Sequence, residues 1–174
     1  MSEQSDQPAV FISESDISSK VSELAEAISH DYRGRDLLLV GLLKGSFVFL
    51  ADLIRQLTIP ARVDFMAATS YVGKKSTGNL IVLKNLNESA RDRDILIVED
   101  IIDTGLTLAE IRQRLLDEQP TSLRICTLLD KPARRERDVP VDYVGFEIED
   151  RFVVGYGIDY DERYLWLPYV GVVE

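Results

Sequence analysis

A single cysteine stands in the 174-residue chain, so no disulfide can form within it. That scarcity fits a reducing compartment. Cys126 lies inside the apolar run Ile125 to Leu129 and reads as a small core residue. No apolar stretch approaches membrane-spanning length. The segment Met1 to Pro8 is polar and acidic and lacks the apolar centre of a secretion signal. Asn87-Glu88-Ser89 matches a glycosylation sequon, which without such a signal is accidental. A cytoplasmic protein with no membrane partner is expected. Basic residues are also short: 20 Lys and Arg face 30 Asp and Glu, for a formal charge of −10. A nucleic-acid partner is disfavoured, because affinity for the phosphate backbone is driven by cations. A metal-chelated phosphate is not, since the metal brings its own positive charge. There is no internal repeat, low-complexity tract or linker. One domain over residues 1–174, with a sizeable core, is expected.

What is present alternates. Ile17, Val21, Leu24, Ala25, Ile28 and Tyr32 recur at helical spacing, with Ser15 or Asp16 as the start signal. Leu37 to Leu42 reads as a buried strand, and Phe47 to Leu57 as a helix stopped by Pro60. Ala61 to Tyr71 alternates at Val63, Phe65, Ala67 and Thr69, as a half-exposed strand would. Gly73 to Gly78 is a polar loop, followed by a strand at Leu80 to Leu83. This pattern predicts a two-stranded flap over about residues 70–84. Strands are predicted again at Ile95 to Val98, Leu123 to Leu129, Val139 to Val144 and Phe152 to Tyr156. Strands alternating with helices predict an α/β fold with a mostly parallel sheet.

The richest stretch is Val98-Glu99-Asp100-Ile101-Ile102-Asp103-Thr104-Gly105-Leu106-Thr107. A strand runs into three carboxylates, then a small polar turn, then a helix with Leu108, Ile111 and Leu115 at helical spacing. Asp103 and Thr104 are good N-cap candidates. The turn would aim backbone N–H groups and hydroxyls at one point with the positive helix end behind them, which describes a phosphate site. The carboxylates could hold a sugar diol, a metal, or both. Phosphate beside a carboxylate-bound diol describes a ribose 5-phosphate.

At this point the chain resembles the type I phosphoribosyltransferases, and more narrowly the bacterial 6-oxopurine (hypoxanthine) enzymes. The resemblance rests on Val40 to Ser46, Asp64-Phe65-Met66, Ser70-Tyr71, the acidic stretch, Leu128-Leu129-Asp130-Lys131-Pro132 and Phe152 to Gly157, in that order. It implies a parallel sheet flanked by helices, a small hood from the N- and C-terminal segments, and a flexible flap. It also implies transfer of the phosphoribosyl group of 5-phosphoribosyl-1-pyrophosphate to N9 of hypoxanthine or guanine, with Mg2+. Thr104, Gly105, Leu106 and Thr107 would hold the 5-phosphate, and Glu99 and Asp100 the ribose hydroxyls and the metal. Asp103 would be the general base, its pKa raised by the two nearby acids. Lys44 and Gly45 would bind pyrophosphate, often with an unusual peptide conformation, and Asp159 would be a second metal-linked carboxylate. Lys131 would donate to the purine 6-oxo group, Phe152 would stack on the ring, and the Val153 backbone would read its edge. A homodimer or homotetramer is implied as well.

One position departs from the family. Leu165 stands where relatives carry an Arg that contacts pyrophosphate, and Arg163 would point to the other side if that segment is extended. Two rival readings are weaker. Asp94 to Asp100 mimics the first strand of a response-regulator receiver, but too little chain follows for four more βα units. A non-catalytic nucleotide-sensing regulator would need a basic face that this acidic composition does not supply.

Overall fold

The computed structural model describes residues 7–70 and 80–173. A six-stranded sheet forms the centre, built from β2 (Leu37–Leu43), β3 (Ala61–Ser70), β4 (Leu80–Lys84), β5 (Asp94–Ile102), β6 (Ser122–Asp130) and β7 (Tyr143–Glu147). Its order is β4-β3-β2-β5-β6-β7, and every pairing is parallel except β3 with β4. A small antiparallel sheet joins β1 (Ala9–Ile12) to β9 (Val170–Val172) and β8 (Val153–Val154), so it combines both ends of the described chain. Among the described residues there are three α-helices, α1 (Glu14–Asp31), α2 (Phe47–Gln56) and α3 (Leu106–Asp117), and a short 3-10 turn at Pro132–Arg134. Among the described residues no helix is long and apolar enough to cross a membrane.

The continuous apolar runs are explained by burial on both faces, as parallel sheets require. Successive strand residues point to opposite sides. Leu37, Leu39, Leu96, Val98, Cys126 and Leu128 face a core shared with α1 and α2. Leu38, Val40, Ile95, Ile97 and Ile125 face a second core closed by Leu108, Ile111 and Leu115 of α3. The predicted helix stripes of α1 and α3 are these same buried positions.

From the β2–β5 pair the chain winds outward in two directions, toward β3 and β4 on one side and toward β6 and β7 on the other. Such a switch point leaves a crevice beyond the carboxyl ends of the two strands, where open α/β sheets bind ligands. The residues that follow β2 and those that end β5 therefore meet there.

Several boundaries differ from expectation for local reasons. α1 is capped by Ser13, whose Oγ accepts the N–H of Asp16 at 3.1 Å, so the cap lies two or three positions earlier than Ser15 or Asp16. The buried residues of β3 are Asp64 and Met66, while Val63 is exposed, because the strand turns its other face to α3. β5 runs on through Glu99 and Asp100 to Ile102, held by β6 on its far side. Val139 lies before β7 rather than in it, and Val153–Val154 pairs in the small sheet. The loop Gly73 to Gly78 and Tyr71 lie outside the described residues, although β3 and β4 that flank them do pair antiparallel.

Asp64 shows how the β3–β4 side is pinned. Its carboxylate accepts the N–H of Phe65 (2.7 Å) and of Asn87 (2.7 Å), Asn87 Nδ2 (3.2 Å), and Lys84 Nζ (3.1 Å). Burial pushes its pKa up, but the Asn87 and Phe65 N–H groups and the Lys84 ammonium outweigh it and hold the carboxyl below its ordinary value. A depressed folded-state pKa stabilises the protein at neutral pH, and that contribution fades as pH falls from about 4 through the lower folded value. Asp64→Asn is expected to cost about 1–3 kcal/mol at pH 7. It should also flatten the acid side of the melting temperature against pH, which a thermal scan between pH 7 and pH 3 measures.

Candidate active site

The crevice at the switch point is floored by Glu99 and Asp100, half-buried at the end of β5. Burial raises the pKa of Glu99 well above its ordinary value, helped by the adjacent Asp100 charge and by a hydrogen bond that the protonated Glu99 carboxyl donates to that side chain. Burial also raises Asp100, with the charge of Asp159 adding to it. Among the described residues no group of three His, Cys, Asp or Glu side chains stands ready for a metal. One or two carboxylates completed by substrate oxygens and water is the pattern magnesium favours, so the residues present fit a metal brought in with a phosphate substrate.

Beyond β2, the peptide joining Leu43 to Lys44 is cis. This is the unusual conformation expected at the Lys44-Gly45 pair. A methyl group on Gly45 would lie 2.0 Å from Asp100 Oδ2, so glycine lets the loop lie directly on that carboxylate. A methyl on Gly157 would lie 2.8 Å from the Gly45 carbonyl oxygen, which brings the segment after β8 onto the same loop. Lys44 Nζ donates to both oxygens of Glu162 at 2.7 and 2.8 Å, and Asp159 Oδ2 accepts the Glu162 N–H at 2.9 Å. Lys44, Gly45, Asp100 and Asp159 therefore come together at one end of the sheet.

The turn before α3 encloses a cavity of about 190 Å3 with Glu99, Asp103, Thr104, Gly105 and Thr107 in its lining. Gly105 is the helix N-cap, with φ +79, and no side chain caps the helix. The expectation that Asp103 or Thr104 would cap it is thus corrected. Only Gly fits: the conformation is left-handed, and a methyl there would lie 2.6 Å from the Arg137 carbonyl oxygen. Thr104 Oγ1 makes only a long contact, 3.4 Å, with the Leu106 N–H. An uncapped first turn presents its N–H groups to a ligand, and an anion there is favoured.

Asp103 meets a cation from the segment after Lys131. Arg134 Nε donates to its Oδ1 at 3.0 Å. Arg135 Nη1 donates to the Asp103 carbonyl at 2.9 Å and pairs with Asp130 through its other nitrogen. The N–H groups of Glu136 and Arg137 donate to the Thr104 carbonyl. The turn is therefore braced by the segment after Lys131, a role missed in the sequence, where Arg134, Arg135 and Arg137 stand as an unremarked basic run.

Lys131 is buried, with its ammonium 3.7 Å from Asp150 Oδ1, and Asp150 Oδ2 lies at the same distance from Arg134. Phe152 exposes half of its surface and meets Tyr160 edge-on, with ring centroids 5.1 Å apart. Val153 is buried, and its backbone is fixed by pairing with Val172. Leu165 is half-buried beside Trp166, Phe47 and Val48 in a groove of about 630 Å3. Its segment is turned rather than extended, and Tyr164 has φ +67, so the alternation argument for Arg163 does not apply.

The phosphoribosyl transferase domain model matches residues 13–161. The hypoxanthine phosphoribosyltransferase of Salmonella typhimurium is 54% identical over 167 residues, covering 94% of each chain. The hypoxanthine-guanine phosphoribosyltransferase of Staphylococcus epidermidis is 47% identical over 166 residues, 95% of this chain and 93% of the other. The crystal structure of a hypoxanthine phosphoribosyltransferase from Staphylococcus aureus superposes with a TM-score of 0.91 at 45% identity, covering 95% of this chain and 90% of that one. With an uncapped glycine turn, an acid pair and the Lys44-Gly45 loop arranged around one crevice, the chain belongs to the type I phosphoribosyltransferase family, on its hypoxanthine branch.

Proposed function

We propose that this protein is a purine-salvage enzyme of the cytoplasm. It transfers the phosphoribosyl group of 5-phosphoribosyl-1-pyrophosphate to N9 of hypoxanthine or guanine, giving the nucleoside monophosphate and pyrophosphate. The carrying observation is the uncapped N-terminus of α3 beside the adjacent carboxyls Glu99 and Asp100 near the end of β5. A 5-phosphate fits the first and a ribose diol the second. Thr104, Gly105, Leu106 and Thr107 hold the phosphate, chiefly through backbone N–H groups.

The purine lies between Phe152, which stacks on it, and the edge of Val153. Lys131 donates to the 6-oxo oxygen. Because Lys131 is buried, a 6-amino group opposite it would leave two donors unpaired, and adenine is rejected. Asp103 accepts the N7 proton as N9 attacks C1′. Arg134 holds its Oδ1, which fixes the carboxylate and leaves Oδ2 to the substrate. Lys44 and the Gly45 backbone take the pyrophosphate, with Asp100 and Asp159 beside it. Magnesium held by Glu99, Asp100 and Asp159 together with substrate oxygens would neutralise the leaving charge. Closure of the flap over residues 70–84 would keep water from an oxocarbenium-like centre. A homodimer or homotetramer is part of this reading, and the groove around Leu165 and the exposed Trp166 supplies apolar surface for it.

Steady-state assays with each purine test the reading. Hypoxanthine and guanine should turn over, adenine should not, and excess chelator should abolish activity; comparable turnover of adenine would overturn it. Asp103→Asn should retain substrate binding while kcat falls ~10²–10⁴-fold. Activity within a factor of a few would reduce Asp103 to a partner of Arg134. Gly45→Ala forces a methyl against Asp100 and should weaken pyrophosphate at least about tenfold while the melting temperature changes little, because the loop lies outside both cores. An unchanged pyrophosphate affinity would mean that this loop contributes nothing to the subsite.

A further inference from the structure

Glu162 is a solvent-facing carboxylate with an unusual setting. Its own φ is +61, and Asp161 and Tyr164 beside it are also left-handed, at +52 and +67. Non-glycine residues seldom adopt that region; Asp161 and Glu162 do so as the two central residues of a hairpin turn that Tyr160 and Arg163 close with a reciprocal pair of backbone hydrogen bonds. Two further contacts hold Glu162 in place: the Asp159 carboxylate on its N–H, and Lys44 Nζ on both of its side-chain oxygens. The Lys44 side chain is 58% exposed and that of Glu162 73% exposed, so neither is trapped by packing. The hydrogen bond from Glu162 raises the pKa of Lys44, and the charges of Glu162 and Asp159 add to it. The charged groups shaping Lys44 are thus both acids. Its ammonium is engaged by two oxygens in one plane, as an anionic substrate group would engage it.

We propose that Glu162 is a resident counter-ligand of the pyrophosphate subsite: it holds Lys44 when that subsite is empty and must be displaced before the lysine can grip pyrophosphate. Glu162 is then a positioning residue, acting through Lys44 and setting how tightly the leaving group is held. The proposal rests on the functional reading above, which gives Lys44 to pyrophosphate. The competition is modest, because an exposed ion pair contributes little net free energy. It is also specific, because a carboxylate left beside Lys44 repels the incoming anion while the purine end of the site is untouched. Asp159 tightens the arrangement by holding the Glu162 backbone in the geometry that aims its side chain at Lys44.

Titration calorimetry of magnesium pyrophosphate into the full-length protein, paired with steady-state kinetics, tests this. Glu162→Gln removes the charge and keeps the shape, and should tighten pyrophosphate about three- to tenfold. It should lower KM for 5-phosphoribosyl-1-pyrophosphate similarly and leave KM for hypoxanthine unchanged. Glu162→Asp keeps the charge and should stay within about twofold of wild type. In a Lys44→Met background the Glu162→Gln effect should vanish, and high salt should shrink it. Weaker or unchanged pyrophosphate binding in Glu162→Gln, or an equal effect without Lys44, would overturn the proposal. A wild-type protein that forms no inosine monophosphate would overturn the functional reading as well, whereas an active wild type with unaltered variants overturns the counter-ligand alone.

Discussion

Asp100 packs its carboxylate onto the backbone of Gly45, close enough that a methyl group there would lie 2.0 Å from an oxygen. That approach depends on β2 and β5 being neighbours in the sheet, with their carboxyl ends level at the switch point. Everything else in the crevice is arranged around it. Gly157 rests on Gly45, Asp159 lies near enough to raise Asp100, and the phosphate turn continues directly from the strand that carries both acids. The cost of burying Glu99 and Asp100 side by side is borne by two apolar cores that do not rely on them. Substrate hydroxyls or a cation can then relieve that cost on binding.

A second pattern follows from the charge balance. Among the described residues, four cations near the crevice are matched to carboxylates of the protein itself: Lys44 to Glu162, Arg134 to Asp103, Arg135 to Asp130, and Lys131 more distantly to Asp150. A chain of formal charge −10 has carboxylates to spare for this. The pairs differ in what they can do. Arg135 and Asp130 are both largely enclosed, so that pair fixes the loop behind the phosphate turn. Lys44 and Glu162 stand in solvent and exchange partners readily. One set builds the site, and the other is available for substrate.

The fold and much of the site were legible in the sequence because they follow local rules. The buried strands showed as apolar runs, α1 and α3 as stripes at helical spacing, and the acidic end of β5 as carboxylates followed by a small polar turn. Two details differ from the sequence reading. Ser13, rather than Ser15 or Asp16, caps α1, and β3 buries Asp64 and Met66 rather than Val63. Alternation says that two faces differ and not which one meets a helix. β5 keeps its strand pairing through the acids because β6 lies beside it, a neighbour that no local pattern reveals.

The sequence by itself determined the α/β class, the strand–acid–turn–helix order of residues 98–107 and the family, since each is carried by residues adjacent in the chain. Tertiary structure alone decided who faces whom. Lys44 meets Glu162 across 118 positions, Asp103 meets Arg134 across 31, and Asp64 finds Asn87 across 23. Charged side chains on a surface have many equivalent partners in solution, and their interaction falls off within a Debye length. Only the fold, by bringing particular strand ends together, selects one partner from the many.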